Sequence, residues 1–232
     1  MTTAFSDALL DAAEYHAAWG AEQLETLGSF VPGGPWTADL QTRLFRRGGR
    51  EFVFAVLGTF DPAERSWLWG WANPGLQGTP AAAVAGRARA FGHRYGVPEF
   101  TDGFLDLAGF PDPRYAAETL AFAAMGVTGS AGYLGVDAGP TTRLYLVPDD
   151  PRVPRAAPDP VTVPRFLLTG AGLFGRSART AVTGYLDHHG LPRHEEPGRL
   201  RATLPGGSAM TVDLDPAGRV GSIHLDAVAP RA

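Results

Sequence analysis

Apolar runs separated by polar turn residues between residues 40 and 73 predict an antiparallel meander, in which successive side chains point to opposite faces. Phe52-Val53-Phe54-Ala55-Val56-Leu57-Gly58-Thr59-Phe60 is rich in aromatic and β-branched residues and reads as a strand. Asp61-Pro62-Ala63-Glu64-Arg65-Ser66 follow as turn residues, and Trp67-Leu68-Trp69-Gly70-Trp71-Ala72-Asn73 reads as the returning strand. With the six polar residues as the loop, Phe60 falls opposite Trp67, Gly58 opposite Trp69 and Val56 opposite Trp71, all on one face. Gly58 leaves room there for an indole to lie across the strand. Before this hairpin, Leu40-Gln41-Thr42-Arg43-Leu44-Phe45 leads into Arg47-Gly48-Gly49-Arg50, whose glycines can supply the positive φ values of a tight turn. Counting back pairs Phe45 with Phe52, Arg43 with Phe54 and Gln41 with Val56. The tryptophan face then continues onto Asp39, Gln41 and Arg43, and Leu40, Leu44, Val53, Leu57 and Leu68 line the other face.

Helical periodicity flanks the meander. Residues 6–28 read as one helix, with Ser6 as N-cap, Gly28 as its stop, and Leu9, Ala13, His16, Leu24 and Leu27 near one stripe. Thr79-Pro80 and Asp112-Pro113 each carry a cap residue followed by a first-turn proline. The first starts a helix running to Gly96, and the second a helix through Met125 that begins to exit at Gly126. Residues 133–136 and 144–147 form a second hairpin. Six prolines between Pro148 and Pro164 mark an extended connection. After it, Val161 to Leu168 reads as a short apolar strand, about Ser177 to His188 as a helix, and residues 200–204, 210–214 and 220–225 as three strands. The fold class is therefore α+β, an antiparallel β-meander packed with helices plus a small C-terminal α+β unit. Its organisation reads as residues 1–147, a linker at 148–160, and residues 161–232.

Magnitude bears on the tryptophan face. Three indoles present about 450–750 Å², at or above the largest apolar patch on a typical monomer. The first expectation is that the chain's own helices cover it. The other is a partly open aromatic floor edged by Arg43, Asp39 and Asn73.

Composition narrows the function classes. The chain has 232 residues, 44% hydrophobic and 19% charged, with net charge −4, which suits a soluble globular protein and gives no electrostatic footprint for nucleic acid or an anionic membrane. All 20 basic residues are arginine, and Ile223 and Asn73 are the only residues of their types, which points to a genome biased against A/T-rich codons. The absence of cysteine excludes thiolate metal sites and a cysteine nucleophile and fits the cytoplasm. The N-terminal stretch from Met1 to Asp7 lacks the pattern of a secretory signal.

Motifs for chemistry are weak. Gly170-Ala171-Gly172-Leu173-Phe174-Gly175 matches the dinucleotide fingerprint, between an expected strand and an expected helix. However, no second apolar strand precedes Glu195 and Glu196, because residues 190–194 are loop-like, so a glycine-rich strand-to-helix turn is the better reading and no cofactor is expected. His188, His189, His194, Glu195 and Glu196 lack metal-site spacing and read as a solvated helix terminus, so no metal is expected. His16, near Glu14 and Trp19, reads as a solvated or core-edge helix residue. Ser130 in Thr128-Gly129-Ser130-Ala131-Gly132 lacks the glycine that a nucleophile elbow needs two residues earlier. No catalytic residue is assigned.

The run from Trp36 to Asn73, with Leu57-Gly58-Thr59-Phe60 followed by Ser66-Trp67-Leu68-Trp69-Gly70-Trp71-Ala72-Asn73, resembles an uncharacterised bacterial family, frequent in actinobacteria, marked by a W-x-W-x-W-A-N strand. The resemblance implies an α+β fold and a bacterial cytoplasmic protein, and it brings no activity with it. The expected function is a non-catalytic binding or interaction protein, using the aromatic face or its rim through Asp39, Gln41, Arg43, Trp67, Trp69, Trp71 and Asn73 toward a protein or small-molecule partner. The alternative is a small-molecule-binding enzyme around Arg43, Asp39 and Asn73.

Overall fold

The structure, a computed structural model, describes residues 4–226. Met1, Thr2 and Thr3, part of the N-terminal stretch considered above, lie outside the described residues. The fold is α+β, and the chain divides into two compact units. Of the described residues, unit 1 holds those up to 12 and 23–155, and unit 2 holds 13–22 and those from 156 on.

Two helices open the chain where one was expected: α1 (Asp7–Tyr15) and α2 (Ala17–Phe30), with the break at His16. Ser6 caps α1 as predicted, accepting a hydrogen bond from the Leu9 amide at 3.2 Å.

The sheet of unit 1 is built around one long strand. Strands β1 (Trp36–Asp39), β2 (Leu44–Arg47), β3 (Arg50–Asp61), β4 (Ser66–Trp69) and β5 (Phe104–Asp106) neighbour one another in that order. On its other side β3 pairs with β7 (Arg143–Pro148), which pairs in turn with β6 (Leu134–Asp137), and every pairing is antiparallel. The expected pairs Phe45–Phe52, Phe60–Trp67 and Gly58–Trp69 are present. Arg43 and Phe54 remain joined by a 2.9 Å bond from the Phe54 amide to the Arg43 carbonyl.

Two extensions of the meander fail. Residues 40–43 are a turn rather than strand, so Gln41 never reaches Val56, which pairs with Leu146. The reason is local: the Asp39 carboxylate accepts the Gln41 and Thr42 amides at 2.8 and 3.3 Å, and Arg43 adopts φ 55°, which closes Asp39 onto Leu44. The tryptophan strand likewise ends at Trp69. Gly70 donates one more bond to Leu57 O at 2.8 Å, and the chain then folds back as the Ala72 and Asn73 amides both bond to Trp69 O at 3.0 Å.

Helices α3 (Ala83–Tyr95), α4 (Pro98–Thr101) and α5 (Pro113–Thr128) complete unit 1. The α3 helix follows a single 3₁₀ turn at Pro80–Ala82 and ends at Gly96, φ 69°, as expected. Asp112 caps α5, accepting the Tyr115 amide at 3.0 Å. That helix runs on past Gly126, which is buried within it, to a left-handed cap at Gly129. One core cluster joins Leu27, Phe45, Phe52, Phe54, Val56 and Leu146.

Unit 2 corrects three expectations. Residues 161–168 do not form a strand, because α6 (Val163–Leu173) buries Val163, Phe166, Leu167 and Gly170 at helical spacing and leaves Leu168 and Leu173 exposed. The dinucleotide motif therefore lies largely within a helix, not at a turn. Gly170 is needed for packing: a Cβ there would stand 2.4 Å from the Ala18 backbone. After α7 (Ala178–His188), capped by Ser177, the sheet has four strands rather than three. Strands β8 (Arg193–Glu196), β9 (Arg199–Thr203), β10 (Ala209–Leu214) and β11 (Val220–Asp226) form a meander. The added β8 covers residues that were expected to be loop. No helix among the described residues is long and apolar enough to cross a membrane.

Candidate functional site

The tryptophan face is core. Trp67 and Trp69 are both 0% exposed and meet edge to face, with ring centroids 5.0 Å apart. Trp67 also packs on Tyr145, and Trp69 on Phe100 of α4. Trp69 Nε1 donates to Glu99 O at 2.8 Å, whereas the buried Trp67 Nε1 has no acceptor among the described residues. Both rings are thus buried within unit 1, Trp69 against α4 and Trp67 against Tyr145 of β7. Trp71, beyond the strand end, is half-buried beneath the Arg89 guanidinium, 4.2 Å from the ring centre, with Gly103 against its edge.

The polar candidates at the margin are mostly turn builders. Asp39 holds its own turn, and the backbone amides of Gln41 and Thr42 keep its carboxyl below the usual range. Gln41 is exposed in that turn. Asn73 accepts the Gly75 amide on its side-chain oxygen at 2.9 Å, while its carbonyl takes the Leu76 and Gln77 amides, so the turn after β4 accounts for the residue. Among the described residues no hydrogen bond or ion pair joins Asp39 or Asn73 to Arg43.

Arg43 points elsewhere. Its guanidinium bonds to the Asp149 carboxylate at 2.8 Å and to Pro80 O at 3.2 Å. Asp149 lines a cleft of about 410 Å³ between the C-terminal end of α5, residues Thr128–Ala131, and the chain following β7. The left-handed Gly129 cap turns the chain so that Ser130 reaches this cleft, where its hydroxyl lies 2.8 Å from Thr128 Oγ1. Arg155 secures the same turn by donating to Gly129 O at 2.7 Å. The wall from Asp149 to Arg152 is also fixed. The Asp149 amide bonds to Val53 O, and Asp150, with a nearly buried side chain, accepts the Val53 amide and the Arg152 guanidinium. The Arg152 bond, and then the backbone amides, hold the Asp150 carboxyl well below the ordinary carboxylate range. Arg87 of α3 also lines the cleft, exposed and with no hydrogen bond or ion pair among the described residues.

Beside the sheet, Glu118 accepts from Tyr133 at 2.9 Å and Tyr145 at 3.0 Å and faces Arg143 at 3.5 Å. Burial first, and the Glu118 charge second, push both phenols above their ordinary range. They are hydrogen-bond donors that stay protonated and cannot serve as bases at neutral pH. Ser130 has a threonine hydroxyl rather than a histidine as its neighbour, so the nucleophile that sequence reasoning set aside gains no support from geometry.

Unit 2 gathers residues that the sequence reading dispersed. His16 Nδ1 lies 2.6 Å from His188 Nε2, and the His188 ring stacks on Trp19 at 3.9 Å. Burial first, and His188 second, push His16 down to about 3. His189 Nε2 meets Glu22 at 2.7 Å with both side chains 5% exposed, and Tyr185 donates to the same carboxylate at 3.1 Å. His189 therefore does not belong to a solvated helix terminus. The His16–His188 separation of 172 residues left no local signal of this pairing. Among the described residues no group of three or more histidine or acidic side chains could hold a metal ion.

No curated protein and no solved structure matches this chain. One family model does match, over residues 3–151, which takes in the meander, α3 to α5 and the Asp149 wall of the cleft. The chain thus belongs to the family of unknown function DUF6882.

Proposed function

We propose that this chain is a non-catalytic binding protein, and that it engages its ligand at the polar rim of the unit 1 sheet rather than through the tryptophan face. The observation that carries this reading is Arg87, a guanidinium without a hydrogen bond or ion pair among the described residues, lining the same concave site as Asp149, itself steadied by Arg43. A cation and a fixed carboxylate lining one cleft with the Thr128 and Ser130 hydroxyls suit a small polar molecule with groups of both signs. A cytoplasmic bacterial setting belongs to the same proposal. The lysine-free composition supports a G+C-rich source, and the cysteine-free chain suits a reducing compartment.

A thermal-shift screen of amino acids and other small zwitterions tests the reading. Compounds that raise the melting temperature should lose their effect in Arg87→Ala and Asp149→Asn while each variant keeps its fold by circular dichroism. Hits indifferent to both substitutions would refute it.

A further inference from the structure

A second concavity lies at the far end of the same sheet, independent of the cleft. Between Pro35-Trp36-Thr37 and the β2–β3 turn is a groove of about 390 Å³. Its lining carries Arg46, Arg47 and Arg50 against a single acid, Glu51, a surplus of two positive charges on a protein whose net charge is −4. Trp36, stacked on Phe45 with the rings 14° from parallel, gives it one apolar wall.

The arginines are not equivalent. Arg46 is spoken for, because Glu51 is its cross-strand partner and the two side chains bond at 2.6 Å. Arg47 and Arg50 have no carboxylate partner among the described residues. The hairpin register places them directly opposite each other, where like charges are destabilising. Gly48 and Gly49, at φ 56° and 75°, fix that register by making a tight two-residue turn between them. Arg47 Nε is also buried with no acceptor among the described residues, at an energetic cost. Arg50 lies 4.9 Å over the Phe30 ring, a contact that orients the guanidinium without neutralising it. Two arginines without a carboxylate partner among the described residues, opposite each other in the register and lining a groove larger than a monatomic ion, describe an incomplete ion cluster.

We propose that this groove is an anion-binding site that takes a compact small-molecule di- or polyanion bearing phosphate or carboxylate groups, held between Arg47 and Arg50 against Trp36. The bound anion turns the Arg47–Arg50 opposition into a shared attraction.

The test is isothermal titration of the full chain at low ionic strength with inorganic pyrophosphate and, separately, citrate, with amide NMR shifts of Gly48 and Gly49 as the local reporter. The expected result is saturable binding of at least one anion that moves both glycine amides. Binding should weaken by about tenfold or more in the Arg47→Gln/Arg50→Gln double variant. A preference for pyrophosphate or for citrate identifies the group recognised, and either preference supports the site. The single variant Arg46→Gln, which removes the arginine already paired, should cost less than the double variant. Failure of both anions to bind at about millimolar concentration, or undiminished binding by a folded double variant, would overturn the proposal.

Discussion

The indole of Trp67 lies across Gly58, so that a Cβ on Gly58 would stand 2.6 Å from Trp67 Cζ2 and 2.7 Å from Leu68 O. The ladder partner of Gly58 is Trp69, and Trp67 reaches it diagonally, as large aromatic side chains can in an antiparallel pair. Replacing Gly58 with alanine forces ring or strand to move. Gly58→Ala should lower unfolding stability by about 1–3 kcal/mol in a denaturant titration, as overpacking does in a filled core. Unchanged stability would mean that the ring does not occupy that space.

The tryptophans divide by burial. Trp69→Ala should cost about 3–5 kcal/mol, because it empties a fully buried site and frees the Glu99 carbonyl. Trp71→Ala removes a half-buried ring under Arg89 and should cost clearly less. Equal losses would contradict the placement of Trp71 beyond the strand end.

Much of unit 1 was legible in the sequence for identifiable reasons. Alternation together with the Gly48-Gly49 turn set the Phe45–Phe52 register, and the polar run from Asp61 set Phe60 against Trp67. Cap residues with a following proline gave the starts of α3 and α5. The pattern failed where side chains from local turns or distant segments decide the outcome. Asp39 and Asn73 looked like site residues because the strands were carried up to them, whereas their side-chain oxygens accept amides two residues on and cap turns. The β8 strand, Arg193-His194-Glu195-Glu196, is a polar edge strand without an apolar face, so periodicity could not find it. The Val161–Leu168 stretch read as a strand through its valines, although its buried positions follow a helical period. As for the candidate site, Arg43 was found, but its partner Asp149 lies 106 residues away and Arg87 carried no motif.

The glycines of α6 allow a test by opposite signs. Gly170 packs on the Ala18 backbone, whereas a Cβ on Gly172 would meet nothing within 4 Å. Gly170→Ala should destabilise unit 2, and Gly172→Ala should stabilise it by about 0.5–1 kcal/mol through helix propensity. A phosphate-binding turn would not give this split. Thermal unfolding of the two variants decides between them.

The buried histidine pair makes acid stability predictable. His16 is held near 3 against an ordinary 6.5. Between those values the unfolded chain binds a proton that the folded chain excludes, so the contribution is full above about 6.5 and is lost as pH falls toward 3, by at most about 1.4 kcal/mol per unit. Around the His16–His188 contact stand Trp19 and Tyr15, the latter bonded to Asp187, with Arg193 beyond. Over the upper part of that window His16→Gln should flatten the slope of stability against pH, whatever it does to absolute stability. An identical slope in the variant would show that His16 titrates normally.

The central claim is that binding belongs to the polar cleft and not to the tryptophan strand. Amide chemical-shift mapping of the full chain with the strongest thermal-shift hit tests it most directly. The account predicts perturbations concentrated on Gly129, Ser130, Asp149 and Arg87 that disappear in Arg87→Ala. Perturbations centred on Trp71, Ala72 and Asn73 that persist in that variant would contradict it.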